Sequence, residues 1–302
     1  MEGTSAAGAS TTLCSVIICT MGLPERARSL LRAIESVRIG NLQQAEVIIV
    51  VNGQKYDENL LISLSARTDI TLIQIPDPSF GEALLTGRRA VTTPYFGFLD
   101  DDDEYLPGAV DARLKVLEDD PSADLVATNG YRFKGHNDEI ALHQLKAVPE
   151  NPLLALYREN WLPSCGGFFR SRRVPAEFFQ QLPRHIHWTW LAFRLVQANR
   201  RVTVLDHATF RINDTMGSAS KSETYLFCHT DVYSRMLTAA TQPQIRQLLR
   251  SRLVQSWHEV SDFHRRNGAL RLAWAAHLRS FQYPSGWKFL PYTRKLFGIR
   301  QR

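Results

Sequence analysis

The stretch PYFGFLDDDDEYLPGAV, residues 94–110, joins an apolar run to a dense cluster of carboxylates. Residues 95–99 have the length and apolar character of a buried strand, and the acidic motif, residues 100–104, follows directly. Two carboxylates about 4 Å apart repel by roughly 4 kcal/mol at an effective dielectric of 20. The motif therefore either spreads into water as a solvated loop or holds a cation between its members.

Strand-like and helix-like segments alternate on both sides of this motif. Buried strands are predicted at 14–20, 45–53, 70–75, 95–99 and 124–133. Helices are predicted between them, at 24–37, 81–91 and 111–120. This alternation predicts an α/β fold with a mostly parallel sheet.

Three polar features lie where predicted strands end. Thr20 ends the first strand, Asn52 lies at the end of the second, and the acidic motif follows the fourth. In open α/β sheets, ligands bind beyond the carboxyl ends of the strands. The sequence therefore predicts that these features converge on one ligand-binding edge.

The composition is that of an ordinary globular protein, with 302 residues, 44% of them hydrophobic and 22% charged. We expect a flexible tail at 1–12, the α/β domain at 13–225, and a helical region with a basic aromatic tail at 226–302.

The opening residues lack the basic and apolar regions of a secretory signal. The four cysteines form no CxxC pair, which is typical of reduced thiols, and no apolar run approaches the roughly 20 residues of a membrane span. We expect a cytoplasmic protein.

The basic residues are concentrated at the end of the chain. From Phe263 to Arg302 there are nine Lys and Arg and no Asp or Glu, although the net charge is only +6. Aromatic side chains lie among these cations in GWKFLPYTRKLFGIRQR, residues 286–302. The pattern indicates contact with an anionic membrane surface through 284–302, or else a packed helix with a solvated basic face. Nucleic acid is a poorer match, because no nucleic-acid-binding motif accompanies the charge.

The acidic motif has the chemistry of a divalent cation site. Mg²⁺ and Mn²⁺ take oxygen ligands, and Mg²⁺ usually binds one or two carboxylates together with substrate phosphates. An Asp-x-Asp at a strand end supplies two carboxylates on a tight turn. The position of the motif after a buried strand favours this interpretation over a solvated loop.

Four segments resemble family 2 glycosyltransferases with the GT-A fold, in their order and spacing. They are SVIICT (15–20), EVIIVVNG (46–53), GEALLTGRRAV (81–91) and PYFGFLDDDDEYLPGAV (94–110). The resemblance covers roughly residues 14–225, and the acidic motif is its most specific part. It implies a Rossmann-like, mostly parallel mixed sheet flanked by helices, and transfer of a sugar from a nucleotide sugar.

The resemblance implies a donor site at the sheet edge. Thr20 would hold the base and ribose, and Asn52 stands where many relatives have an aspartate that hydrogen-bonds the base. Because an amide both donates and accepts, uridine is less firmly implied than it would be with aspartate. Arg88 or Arg89 would lie near the nucleotide, unless both belong to a solvated helix face.

The same resemblance implies roles within the acidic motif. Asp100 would face the ribose or a metal-bound water, with Asp101 beside it at the donor. Asp102 would bind Mn²⁺ or Mg²⁺ directly, and Asp103 would support it. The metal would stabilise the charge that develops on the leaving diphosphate.

The sequence departs from the family at the catalytic base. Relatives place a pair of carboxylates near the start of a later helix, but here no carboxylate lies between Glu177 and Asp206. His187, or His185 two residues earlier, takes that place, and histidine is a competent base at neutral pH. The alternative is that His187 packs as an ordinary residue at a helix start.

Two further segments resemble pocket-forming parts of the family. In NWLPSCGGFFRS (160–171), Gly166 and Gly167 would let the backbone approach a sugar or acceptor. An apolar sugar platform could form from Trp161, Trp188 and Trp190, although large aromatics are more often core.

FRINDTMGSASKSE, residues 210–223, resembles a loop that closes over the donor, with Arg211 reaching the diphosphate.

These features predict a metal-dependent, inverting glycosyltransferase of the hexosyltransferase type. Its donor would be a nucleotide sugar, UDP-linked by resemblance. Its acceptor would be a saccharide, lipid-linked, at the inner face of a membrane, in surface polysaccharide or glycan biosynthesis. The alternative is a catalytically impaired nucleotide-sugar-binding or scaffold protein on the same fold. A sugar nucleotidyltransferase is disfavoured, since CTMGLPERA (19–27) lacks the expected Gly-rich basic loop.

Overall fold

The computed structural model describes residues 12–42, 45–213 and 223–297. These residues divide into two units, each described here by itself. The first holds the described residues up to Leu182 and those from Arg194 to Asn213. The second holds Pro183–Phe193 and the described residues from Glu223 onward. The tail predicted at 1–12 lies outside the described residues except for Thr12.

The first half of the sheet in the first unit is parallel. Its strands are β1 (Cys14–Thr20), β2 (Ala45–Asn52), β3 (Ile70–Ile75) and β4 (Tyr95–Asp100). They lie in the order β3–β2–β1–β4. The helices between them are α1 (Ala27–Ser36), α2 (Glu58–Ser65) and α3 (Phe80–Ala90). The predicted alternation and parallel pairing are confirmed.

The second half makes the sheet mixed. It contains β5 (Glu104–Tyr105), α4 (Ala109–Asp119), β6 (Leu125–Phe133), β7 (Asp138–Ile140), α5 (Pro152–Arg158), β8 (Gly167–Arg170) and β9 (Val202–Asn213). The order continues β4–β8–β6–β9–β5, with β7 paired to β6. Because β8 is antiparallel to both β4 and β6, β6 runs in the same direction as β4.

The core fixes the carboxyl ends of the central strands. Every residue of β1 is buried, as are the last six of β2, because helices cover these β-branched strands. Gly87 of α3 allows one close contact, since a Cβ there would lie 2.4 Å from Ile17 Cγ2. The ends of β1, β2 and β4 are thus held by a packed interior.

The second unit is helical. It includes the start of α6 (His187–Gln197), then α7 (Glu223–Ala239), α8 (Pro243–Arg266), α9 (Leu270–Ser280), a 3-10 helix at Pro284–Tyr292 and α10 (Thr293–Leu296). The segment 183–193 groups with these helices, and His185 Nε2 lies 2.9 Å from Thr224 Oγ1. No helix within the described residues is long and apolar enough to cross a membrane.

Candidate functional site

Thr20 connects the end of β1 to the acidic motif. In the parallel register, Cys19 lies beside Asp100, so the motif begins next to the loop after β1. The Thr20 hydroxyl donates to Asp101 Oδ2 at 2.6 Å and accepts from the Gly22 amide at 2.9 Å. Gly22 has φ +64°, a conformation that glycine adopts readily. The structure therefore brings two of the predicted donor residues together.

Arg26 supplies a cation to the motif. Its Nη1 lies 2.5 Å from Asp102 Oδ2 and 3.4 Å from Asp101 Oδ1. Burial lowers the pKa of Arg26, but the hydrogen bond to Asp102 and the neighbouring carboxylates outweigh this and raise it. Arg32, one helical turn and a half further on, pairs with Glu104 at 3.0 Å. Guanidinium groups therefore neutralise part of the carboxylate charge.

The remaining carboxylates are held by neutral donors. Asp100 Oδ2 accepts from the Ser164 hydroxyl at 2.6 Å. Asp103 is buried and accepts from the Asn213 amide at 2.9 Å and from the Cys165 thiol at 3.7 Å. These bonds anchor the turn to the segments before β8 and at the end of β9.

Burial is the largest cause of raised pKa values in the motif. It raises the pKa of Asp100 to about 7, opposed by the hydrogen bond from Ser164 and assisted by the charges of Asp102 and Asp101. Burial also raises the pKa of Asp101 and of Asp103. The motif is therefore more stable with a bound proton or cation than with all of its carboxyl groups ionised and no cation bound.

Asn52 ends β2 on the same edge of the sheet. Only 4% of this residue is exposed, and its Oδ1 has no hydrogen-bond partner among the described residues. An unpaired buried acceptor costs about 1–3 kcal/mol. Asn52 therefore offers a ligand a buried acceptor.

Arg88 and Arg89 do not lie at this edge, contrary to the prediction. They end α3, which runs back along the sheet towards the start of β4. Arg88 is buried, donates to the carbonyls of Ser171 (2.7 Å) and Val174 (3.0 Å), and covers the Phe96 ring. Arg89 is exposed at the same helix end. A helix between two parallel strands runs antiparallel to them, so the end of α3 lies near the amino ends of the strands, away from the acidic motif.

The predicted sugar pocket at 160–171 is largely core. Trp161 is 1% exposed and its Nε1 donates to the Pro152 carbonyl at 2.9 Å, so it is not a platform. A Cβ on Gly166 would lie 2.7 Å from the Pro163 side chain, and one on Gly167 would lie 2.6 Å from that of Leu162. The protein itself fills the space that was predicted for a ligand.

Arg211 is engaged elsewhere in the first unit. It lies on β9 opposite Glu104, and its Nη2 pairs with Asp138 Oδ2 of β7 at 2.6 Å. The ion pair directs its guanidinium to the β6–β7 hairpin instead of the acidic motif. The rest of the predicted loop, residues 214–222, lies outside the described residues.

The candidate bases lie in the second unit. Burial, with a smaller contribution from His185, lowers the pKa of His187 to about 4. Burial also lowers the pKa of His185, which contacts Thr224. Trp188 is buried, and Trp190 stacks on Phe193 with ring centroids 5.9 Å apart. His187 is thus neutral at pH 7 but a much weaker base than an ordinary histidine.

The motif supplies part of the ligand set of a divalent cation, and the phosphate oxygens of a bound ligand would complete it. Asp100 and Asp102 supply oxygen donors of the kind that Mg²⁺ and Mn²⁺ prefer. Within residues 12–42, 45–213 and 223–297, no group of three or more His, Cys, Asp or Glu side chains could hold a metal ion. Two carboxylates with phosphate oxygens match the usual binding of Mg²⁺.

An open cavity of about 810 Å³ lies on the β6–β9 part of the same sheet. Its polar lining includes His143, Lys146 and Asp206. Asp206 accepts from the Asn129 amide at 2.8 Å and pairs with Lys146 at 3.3 Å. The strand register of β6 and β9 shifts beside Asn129, and Asp206 and His207 of β9 are exposed there.

Sequence reasoning missed five residues that hold the motif: Arg26, Arg32, Ser164, Cys165 and Asn213. Ser164 and Cys165 lie in the segment 160–171, for which the sequence predicts a sugar or acceptor pocket formed by Gly166, Gly167 and Trp161. Arg26 had a sequence signal, because it is a basic residue in the loop after β1.

Comparison with known proteins assigns the chain to a family. A model described as glycosyl transferase family 2 matches residues 15–178, more than half of the chain. The chain belongs to this family. An uncharacterised glycosyltransferase of Rickettsia prowazekii (strain Madrid E) is 29% identical over 101 residues, which are 33% of this chain and 31% of that protein. Another, from Rickettsia felis, is 22% identical over 174 residues, 56% of this chain and 28% of that protein.

Solved structures share the fold of this glycosyl transferase family 2 chain. Residues 1–349 of S. aureus TarS superpose with a TM-score of 0.58 at 15% identity, covering 87% of this chain and 80% of that one. The complex of the same protein with UDP-GlcNAc gives 0.60, also at 15% identity, with coverages of 85% and 75%. The expected GT-A-like architecture is confirmed. The chain spans about a third of the length of the curated relatives that it matches.

Proposed function

We propose that the protein transfers a hexose from a nucleotide sugar to a saccharide acceptor. The proposal rests on the edge of the sheet where β1, β2 and β4 end. This edge lies within residues 15–178, which the family model matches. There Thr20, Asn52 and the acidic motif meet the needs of a nucleoside diphosphate: hydrogen bonds to the base and a cation for the phosphates.

The donor we favour is a UDP-linked sugar. Uracil carries a ring N–H, and the buried Oδ1 of Asn52, which has no partner among the described residues, is free to accept a hydrogen bond from it. TarS, which shares the fold, was crystallised with UDP and with UDP-GlcNAc.

The leaving diphosphate requires positive charge. Bound together with the donor, Mn²⁺ or Mg²⁺ at Asp100 and Asp102 would supply it as a Lewis acid. Ser164 would hold Asp100 in place, and Thr20 would orient Asp101. Arg26 already lies at the motif and would exchange its pairing with Asp102 for a phosphate oxygen.

The acceptor reaction calls for a base and a place for the saccharide. We assign the acceptor to the β6–β9 cavity, whose polar side chains suit sugar hydroxyls. A base would deprotonate the attacking hydroxyl as it approaches C1 from the face opposite the diphosphate, which inverts the anomeric centre. His187 and His185 remain the candidates, and a lipid-linked acceptor at the inner face of a membrane remains the expected substrate.

Thermal unfolding tests the donor site. Wild type, Asp102→Ala and the matched control Asp119→Ala, an exposed carboxylate on α4, are heated with UDP, GDP, CDP or dTDP, with and without Mn²⁺. A ligand at 100 times its Kd stabilises the folded state by about 2.7 kcal/mol. We expect UDP together with Mn²⁺ to raise the midpoint of thermal unfolding of wild type and of Asp119→Ala. The midpoint of Asp102→Ala should not change. A lack of any nucleotide effect in wild type would refute the donor site.

A nucleotide-sugar-binding protein without transfer activity is the second candidate. It is favoured by the pKa of His187, about 4, which leaves little basicity for catalysis. Incubation of wild type and His187→Gln with UDP-hexoses and Mn²⁺, followed by measurement of released UDP, separates the two. Release by wild type that His187→Gln loses supports the transferase, whereas donor binding without release by wild type supports the alternative.

A further inference from the structure

Helix α9 of the second unit carries an exposed apolar stripe. Leu270, Trp274, Leu278 and Phe281 recur at helical spacing and lie on one face of the helix and its C-cap. Leu270 is 48% and Leu278 is 59% exposed, although leucine side chains usually lie inside.

Two aromatic residues from the following segment extend this stripe. Phe297 packs edge-on against Trp274 with ring centroids 4.9 Å apart, and Trp287 packs against Phe281 at 5.3 Å. Phe297 is 67% exposed and Trp287 is 63% exposed. A contiguous exposed apolar patch of this kind is typical of an interaction surface.

The surface is preformed by packing beneath it. Ala273, Tyr292 and Leu296 form a small buried cluster. His277 Nε2 lies 2.8 Å from Thr293 Oγ1, and a Cβ on Gly286 would lie 2.0 Å from the Ser280 carbonyl oxygen. The 3-10 helix and α10 are thus fixed directly against α9.

Positively charged residues flank the stripe in the sequence, and two of them, Arg279 and Lys288, lie over the rings of Trp257 and Phe289. Its exposed cations are Arg271, Arg279, Lys288, Arg294 and Lys295. None of these five forms an ion pair with a described carboxylate, and Asp262, the last acidic residue of the chain, is taken by Arg265 and Arg266. We call the stripe and these cations the basic-aromatic face.

We propose that the basic-aromatic face docks on an anionic phospholipid bilayer. Trp, Phe and Leu side chains insert at the boundary between headgroups and acyl chains, while Lys and Arg bind the phosphodiester anions around them. A second copy of the chain is a poorer partner, because a two-fold interface would place these unpaired cations opposite one another. Docking here extends the lipid-linked acceptor proposed above, but it does not require the donor site.

Co-sedimentation of the full chain with vesicles tests the proposal. Wild type is mixed with phosphatidylcholine vesicles that contain either no phosphatidylglycerol or about a third of it, at about 0.1 M salt. Trp287→Ser/Phe297→Ser removes apolar contacts and Lys288→Glu/Lys295→Glu reverses charge. Their matched controls in the first unit are Ile62→Ser, a 67% exposed apolar residue, and Lys115→Glu, an exposed cation.

We expect wild type and both controls to bind the anionic vesicles only, and each double variant to bind them at least about tenfold more weakly. Unchanged circular dichroism and thermal midpoints establish that the variants are folded. Failure of wild type to bind, equal binding to neutral vesicles, or double variants that bind like wild type would overturn the proposal.

Two measurements address other partners. If a single-stranded oligonucleotide binds wild type and Trp287→Ser/Phe297→Ser equally while displacing vesicles, the face is a general polyanion site and the proposal is wrong. It is equally wrong if sedimentation without lipid shows a dimer that this variant dissociates. The vesicle assay contains no UDP or other nucleoside diphosphate. Its result therefore does not depend on whether the donor site binds a nucleotide.

Discussion

The acidic motif and the basic-aromatic face concentrate opposite charges in different ways. In the motif, Asp100 to Asp102 are half-buried and Asp103 is buried, and all four accept hydrogen bonds or ion pairs from named donors. On the face, five cations are exposed and none is ion-paired with a described carboxylate. Buried charge must be compensated atom by atom, whereas exposed charge costs little to leave unpaired.

This difference predicts two kinds of behaviour. In the motif, a single substitution should leave a partner group unsatisfied and change binding specifically. On the face, cations should act through their sum, and added salt should weaken their effect.

Burial also controls the titration of His187 in the second unit. Its pKa is about 4 in the folded protein, below the ordinary value of 6.5, so the unfolded chain binds the proton first as pH falls. The contribution of His187 to stability should therefore decrease from about pH 6.5 towards pH 4, by about 3 kcal/mol in total. His187→Gln should lose less stability over this range, as measured by urea unfolding at pH 7 and pH 4.5. The exposed control His207→Gln should follow wild type, and a parallel decline in all three proteins would contradict the effect of burial.

The parallel half of the fold was predictable because its strands depend on local pattern. Short β-branched runs between amphipathic helices can bury both faces only in a covered parallel sheet. The strands β8 and β9 were not predicted. β8 has only four residues, and it pairs with β4 and β6 across long stretches of sequence, so its neighbours depend on tertiary packing.

The candidate site was predictable only where strand ends determine position. Thr20, Asn52 and the acidic motif follow directly from the ends of β1, β2 and β4. Arg88 and Trp161 were misplaced because residue type alone does not distinguish a ligand contact from a buried side chain with a carbonyl partner. Ser164 required the three-dimensional structure, since its partner Asp100 lies more than 60 positions away in the chain.

Within the motif, Arg26 provides the next test. Arg26→Gln removes the cation that pairs with Asp102, so Mn²⁺ without nucleotide should bind more tightly. A charged hydrogen bond of about 1.5 kcal/mol corresponds to roughly tenfold in affinity. Electron paramagnetic resonance of free Mn²⁺ measures the change without any need for turnover. Arg32→Gln, which loses a pairing with Glu104 instead, should have a smaller effect. Weaker Mn²⁺ binding by Arg26→Gln than by Arg32→Gln would mean that Arg26 does not compete with the metal.

The smallest effects are expected from single cations of the basic-aromatic face. Arg271→Ala, Arg294→Ala and Lys295→Ala should each change the free energy of unfolding by less than about 0.5 kcal/mol, because none of these side chains has an ionic partner to lose. Their effects on binding to anionic vesicles should be similar to one another, should add in combination, and should shrink as salt is raised. A face that works through summed charge has no single indispensable residue. If one of these cations alone abolished vesicle binding, the face would instead contain a specific headgroup pocket, and the contrast with the acidic motif would fail at that residue.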